Sequence, residues 1–198
     1  FAGYGWASSG TRIFEALAVT CGFALLARAL RGVDQSGMMA GGAACLLLLA
    51  GLGPAGFVVL ATLFFLTWVS TRFGYRRKQS LGIAERGEGR NAWQVLANLT
   101  VPALGSAAFA VSGNRAWALA AMAALAEAAT DTVASEVGQS RSQTALLITT
   151  WKAVPAGTDG GISILGTAAG VVAGGVIAVT AAAGGVIGWG SLWIAVVA

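Results

Sequence analysis

Apolar runs close to the length a bilayer demands occupy most of this chain, and they leave little choice of fold class. A membrane-crossing helix needs about 20 mostly apolar residues. Runs of that kind lie at about 13–30, 37–52, 54–70, 92–111, 116–134 and 162–182, and a seventh starts after Gly184-Gly185 and is still running at Ala198. Only Gly53-Pro54, a pair suited to a tight turn, separates the second run from the third. Charged residues make up 10% of the 198, against about 25% in a soluble domain. That leaves too little polar surface to cover a water-facing fold. The spacing predicts an all-α, polytopic transmembrane helical bundle of six complete crossings plus a partial seventh, forming a single integral membrane domain over 1–198.

Lys and Arg set the orientation. Six crossings put the loops after the first, third and fifth helices on one side, where they hold Arg28, Arg31, Arg72, Arg76, Arg77, Lys78, Arg86, Arg90, Arg141 and Lys152. Only Arg12 and Arg115 fall opposite, a split of ten against two. Cytoplasmic loops carry the excess of basic residues, so the polar stretches at about 71–91 and 135–161 are expected in the cytoplasm and the N-terminus outside. The net charge of +4 is thereby explained without nucleic acid as a partner. Trp68, Trp93, Trp117 and Trp189 fall near helix ends, where interfacial anchors belong. Gly166, Gly170 and Gly174 form a stripe that lets helix backbones approach closely.

Histidine is absent and there are two cysteines, Cys21 and Cys45. This excludes an imidazole base, a Ser-His-Asp triad, His-ligated zinc and haem, a four-Cys zinc site and a disulfide framework. Chemistry is left to carboxylates, basic groups, hydroxyls, amides and a borrowed metal ion.

The polar residues inside or beside the helices gather at one end. Charge near the bilayer centre costs about 2.5–3.5 kcal/mol on insertion scales, so each such residue implies a partner or a cavity. Glu127, Asp131 and Ser135 repeat every four residues on the fifth helix, with Glu136 one position off that face. Two carboxylates one turn apart repel unless a cation or proton lies between them. Arg90, Gln94 and Asn98 repeat likewise at the start of the fourth, where hydrogen bonds between helices are the plainer alternative. Thr158, Asp159, Gly160 and Gly161 lead into the sixth helix; glycines there can turn amides toward a phosphate, while Asp159 could simply cap the helix. Arg76, Arg77 and Lys78 form a basic run whose plainer roles are topology and attraction to anionic headgroups. Carboxylates suited to Mg²⁺, a glycine turn and clustered cations are the parts that phosphoryl transfer uses. Lipid-facing walls beside them point to a membrane-dissolved substrate bearing phosphate.

Four motifs in order, LFFLTWVSTRFGYRRK, GRNAWQVLAN, AATDTVASEVG and LITTWKAVPAGTDGGISILGTAAG, resemble the integral-membrane phytyl-phosphate kinase family, whose transmembrane relatives occur in bacteria, archaea and animals. The resemblance runs from about Phe57 to Gly175. It implies an integral-membrane kinase that converts a prenyl (phytyl-like) monophosphate to the diphosphate with a nucleoside triphosphate, such as CTP; the carboxylates add the expectation of Mg²⁺, and the Lys/Arg bias that of the cytoplasmic face of a prokaryotic membrane. Asp131 and Glu136, helped by Asp159 and Glu127, are expected to hold Mg²⁺. Arg90, Lys78 and Lys152 are expected on phosphate oxygens, with the Gly160-Gly161 backbone and Thr158 around one phosphate and Gln94, Asn98 and Ser135 orienting substrate. Relatives continue into a glycine-rich stretch with an Asp-Ser pair, which this sequence does not reach, so the family's C-terminal segment is expected to be missing. The competing expectation is a transporter or flippase for a lipid phosphate or small ion, since an acidic pair and broken Gly-rich segments also suit alternating access. The near absence of charge from the other halves of the helices favours the enzyme.

Overall fold

The computed structural model describes residues 10–80, 87–141 and 144–193. Five long helices dominate it: α1 (Gly10–Ala29), α2 (Gln35–Arg72), α4 (Ala92–Ser112), α5 (Arg115–Arg141) and α6 (Ile164–Ala183). A short α3 (Tyr75–Ser80) follows α2. Three of these helices, α2, α4 and α6, are long and apolar enough to cross a membrane.

The 38 residues of α2 would span about 57 Å if straight, at 1.5 Å per residue, nearly twice the hydrocarbon thickness. They do not run straight. Gly53 adopts φ 66 and ψ −160 immediately before Pro54, a left-handed conformation that glycine tolerates and a β-carbon resists. The helix doubles back there, so that Met38 and Gly41 from its first half line the same cavity as Leu63 and Thr67 from its second. The turn expected at Gly53-Pro54 is therefore present, and α2 is two antiparallel helices joined by a hinge one residue long.

Helix ends sort into two groups. At one end lie the α1–α2 turn, α3, the start of α4, the last turns of α5 and the start of α6. Their cross-links include the amide of Asp34 donating to the Arg90 carbonyl at 3.0 Å and the Trp68 indole donating to the Leu30 carbonyl at 3.1 Å. At the other end are Gly53, the left-handed cap Gly113 of α4, and Gly184, which lies against Ala55. α5 is central, packing on α2, α4 and α6. It buries Ala121, Met122, Leu125 and Ala129, opposite Leu48, Val59 and Ile177. Gly170 lies against the α5 backbone: a β-carbon there would come within 2.7 Å of the Thr130 carbonyl oxygen. The glycine stripe thus brings the two helices close together. Outward faces stay apolar, with Phe14, Val101, Ile164 and Val172 well exposed, as lipid contact requires.

Three expectations need correction. The fold is not purely helical: β1 (Thr144–Leu147), β2 (Ala153–Pro155) and β3 (Gly161–Ile162) form an antiparallel sheet of order β2-β1-β3 inside the stretch read as a loop. Cross-strand pairs such as Ala145 with Val154 and Leu146 with Ile162 hold it together, and such long-range pairing leaves no periodicity in strands this short. α5 runs to Arg141, about two turns beyond the predicted end, because nothing in TVASEVGQSR breaks a helix. α6 is capped by Ser163, whose hydroxyl accepts from the Gly166 amide at 3.1 Å, rather than by Asp159. Of the seventh apolar segment, the described part holds a short 3-10 turn at Trp189–Ser191, and 194–198 lie outside the described residues.

Candidate functional site

Two cavities open at the basic end of the bundle. The first, of about 390 Å³, lies between the C-terminal half of α5, the sheet and the start of α6. Asp131 and Ser135 reach it from one face of α5, four residues apart; Thr158, Asp159 and Gly160 reach it from the β2–β3 loop and Gly161 from the start of β3. Those six are the expected residues that the fold brings together. The loop owes its shape to glycine: Gly157 and Gly160 have φ of 91 and 74. Thr158 closes the turn by donating its hydroxyl to the Pro155 carbonyl at 2.8 Å and accepting the Gly161 amide at 2.9 Å. The Gly161 amide is thereby committed to the turn, so it is not turned toward a ligand. Gln139, Ser163 and Thr167 line the same cavity and were not singled out from the sequence. The hydroxyls carry no sequence signal apart from the fold that turns them inward.

Lys78 and Glu136 have a different place. Lys78 is 1% exposed, and its ammonium donates to the Thr71 carbonyl at 2.7 Å, to the Ser70 carbonyl at 3.4 Å and to the Glu136 carboxylate. The other Glu136 oxygen accepts from the Thr71 hydroxyl at 3.2 Å. An ammonium has three protons, and here each has an acceptor. In this structure Lys78, expected on phosphate, and Glu136, expected on Mg²⁺, pair with each other and tie α3 to α5 and the end of α2. Helical geometry explains this: successive residues on a helix point about 100° apart, so Ser135 faces the cavity and Glu136 faces α2 and α3.

The second cavity, of about 350 Å³, lies between α1, both halves of α2 and α4. Phe23, Leu60, Leu63, Phe64, Val95 and Leu99 make its apolar walls, and Arg31, Arg72, Tyr75, Arg90 and Asn98 line it as well. Trp68 belongs here too rather than serving only as an interfacial anchor: its ring lies 4.2 Å from the Arg72 guanidinium carbon. Arg90 and Asn98 thus face a cavity other than the one holding Asp131. Gln94 closes a capping box, its side chain accepting the Asn91 amide at 3.0 Å while Asn91 accepts the Gln94 amide at 3.1 Å. Arg31 and Arg72 were read from the sequence only as topological charges.

The remaining expected residues stand apart. Glu127 is exposed on α5, one turn before Asp131 and outside the lining of the first cavity. Lys152 is exposed at the start of the β1–β2 hairpin's return, its carbonyl accepting the Leu147 amide at 2.9 Å. Among the described residues no three Asp, Glu or Cys side chains cluster as a ready-made metal cage. Asp131 and Asp159, on separate elements of one cavity with hydroxyls around them, fit Mg²⁺ nonetheless, which is typically held by one or two carboxylates and completed by water and substrate phosphates.

Comparison with known proteins places these cavities in a family context. The chain is 36% identical over 148 residues to the uncharacterized membrane protein sll0875 of Synechocystis, covering 72% of this chain and 57% of that one. It is 33% identical over 153 residues to Protein VTE6, chloroplastic, of Arabidopsis thaliana, covering 70% and 45%. It is also 33% identical over 162 residues to the uncharacterized membrane protein MJ0933 of Methanocaldococcus jannaschii, covering 81% and 66%. The chain therefore spans roughly half to two thirds of the length of these relatives. No solved structure matches. The profile described as integral membrane protein DUF92 matches residues 18–198, which include all four motifs and both cavities, and the chain belongs to that family.

Proposed function

We propose that this chain is a prenyl-phosphate kinase: it transfers the terminal phosphoryl group of a nucleoside triphosphate to a prenyl (phytyl-like) monophosphate, giving the diphosphate, at the cytoplasmic face of a membrane that its helices cross six times. The observation that carries the reading is the cavity shared by Asp131, Ser135, Thr158 and Asp159 at the basic end of the bundle. The motif resemblance to the phytyl-phosphate kinases supplies the substrate class.

In the reaction an oxygen of the acceptor phosphate attacks the terminal phosphorus, the bond to the bridging oxygen breaks, and the nucleoside diphosphate leaves. The attacking oxygen is already ionised near neutral pH, so no imidazole is needed. Mg²⁺, held by Asp131 and Asp159, would neutralise the phosphate oxygens of the donor. Ser135 and Thr158 line the same walls; their hydroxyls donate to the Thr132 and Pro155 carbonyls at 3.0 and 2.8 Å and would have to turn from them to orient phosphate. Arg90 offsets acceptor charge from the neighbouring cavity, and Lys152 adds positive charge on the hairpin. The Lys78–Glu136 pair joins α3 to α5 and is given a positioning role in this reading.

The test is direct. Purified protein in nanodiscs, given Mg²⁺, radiolabelled ATP, CTP or UTP and phytyl or geranylgeranyl monophosphate, should form the labelled diphosphate, and Asp131→Asn should abolish it. Absence of diphosphate with every nucleotide, together with movement of lipid phosphate across liposomes, would replace the kinase by the transporter.

A further inference from the structure

We infer that the cavity between α1, α2 and α4 is a binding site for a single-chain phosphate monoester, with the tail among Phe23, Leu63 and Phe64 and the phosphate against Arg31 and Arg72. The inference rests on the kinase reading only for the role of the occupant, the phosphoryl acceptor; the binding claim stands on geometry.

Three observations carry it. Two arginines, Arg31 and Arg72, line a mostly apolar cavity, and no carboxylate lines it among the described residues. Arg72 is held by a backbone carbonyl, Leu30, and by the Trp68 ring, neither of which bears a charge. The Arg31 side chain has no hydrogen bond or ion pair among the described residues. The Arg31 and Arg72 charges therefore lie at the edge of a mostly apolar space with no carboxylate lining it among the described residues, which suits an anion attached to an apolar tail. At about 350 Å³ the space is more than twice the roughly 150 Å³ that accommodates a benzene ring. That size suits part of one chain rather than two.

Backbone conformation makes Arg31 unusual. α1 ends in a Schellman motif: the Arg31 amide donates to the Arg28 carbonyl at 3.0 Å and the Gly32 amide to the Ala27 carbonyl at 2.9 Å. This sets Arg31 at the left-handed position, with φ 53, where glycine is the usual residue. A glycine there would serve the fold at least as well. An arginine in that place points to a use for its guanidinium.

The same fact provides a test in which folding and binding separate. Full-length protein in phosphatidylcholine nanodiscs, without nucleotide, is titrated with farnesyl monophosphate, farnesol, inorganic phosphate and dioleoyl phosphatidic acid. Saturable binding of farnesyl monophosphate is expected, with little for the other three. Arg31→Gly should weaken it at least tenfold while the melting temperature stays equal to the wild type or rises. Unchanged affinity in Arg31→Gly overturns the proposal. So does equal binding of farnesol, which makes the cavity a tail site only, of inorganic phosphate, which makes it an anion site only, or of phosphatidic acid, which makes it a lipid headgroup site. Binding without turnover would end the kinase reading and leave this one standing; turnover in a protein whose affinity is unchanged by Arg31→Gly would do the reverse.

Discussion

Removing the Glu136 charge tests the basic end of the bundle most sharply. Lys78 is 1% exposed and Glu136 14%, so Glu136→Gln leaves an ammonium buried with only neutral acceptors, the Thr71 and Ser70 carbonyls. Breaking a buried pair from one side costs about 3–5 kcal/mol, two to four orders of magnitude in the folded-to-unfolded ratio. Lys78→Met is the milder change, about 1–3 kcal/mol, because Glu136 keeps the Thr71 hydroxyl and is the more exposed partner. The double variant Lys78→Met/Glu136→Gln buries neither charge and should recover to within about 1 kcal/mol of wild type, since neutral replacements of a buried pair are often tolerated. Thermal unfolding of the four proteins in one detergent should therefore rank wild type and double variant together, then Lys78→Met, then Glu136→Gln. The pair is also not assigned to substrate, so the double variant should retain diphosphate formation. Additive losses in the double variant would refute the coupled buried pair. A stable but inactive double variant would return Glu136 to the metal.

Three other outcomes are expected. Gly170→Ala should lower stability by about 1–3 kcal/mol, because its β-carbon meets the Thr130 carbonyl oxygen at 2.7 Å and the Ala134 β-carbon at 2.9 Å, whereas Gly175→Ala, with open space around it, should gain about 0.5–1 kcal/mol by thermal unfolding. The Gly37 amide, and after it the Ser36 hydroxyl, hold Asp34 below the usual carboxylate range, so its contribution is complete above the unfolded value of about 3.9 and is lost as pH falls through the lower folded value. Asp34→Asn keeps a good cap and should remove that acid-dependent part of the melting-temperature profile; an unchanged profile would refute it. Asp131→Asn and Asp159→Asn should each reduce turnover by about a hundredfold or more with the melting temperature unchanged, as both side chains are exposed to the cavity; full activity in both would remove them from the metal.

Much of the fold could be read from the chain because it is governed by local sequence. Gly53-Pro54 specifies its own hinge, and α4 starts and stops at 92–112 against a predicted 92–111 because Asn91 caps it and Gly113 ends it. Asp131, Ser135 and the Thr158–Gly161 loop could be grouped because helical spacing and loop composition are also local. What was missed depends on chain closure. Lys78 and Glu136 are 58 residues apart, and their residue types announce two charges but not that each satisfies the other. β1 to β3 form through pairing alone, with only two to four residues each. The apolar cavity was invisible because Phe23 and Phe64 look, as letters, like the lipid-facing Phe14 and Phe65; only packing separates a wall from an outer surface.

The placement of α5 links the two cavities. Asp131 and Ser135 turn toward the sheet and α6, while Glu136, about 100° further round, holds Thr71, which lines the other cavity. A rotation of α5 about its axis would therefore disturb both at once. Two contacts oppose such a rotation from opposite sides: the Lys78–Glu136 pair, and the backbone approach at Gly166 and Gly170, where β-carbons would run into the Ala134 and Thr130 carbonyls. Packing through glycine suits this task better than packing through large side chains, because a backbone-to-backbone contact has no rotamer to yield. The stripe that looked like simple close packing is thus also what fixes the angle at which Asp131 enters its cavity, and with it the separation between Asp131 and Asp159 on which metal binding would depend.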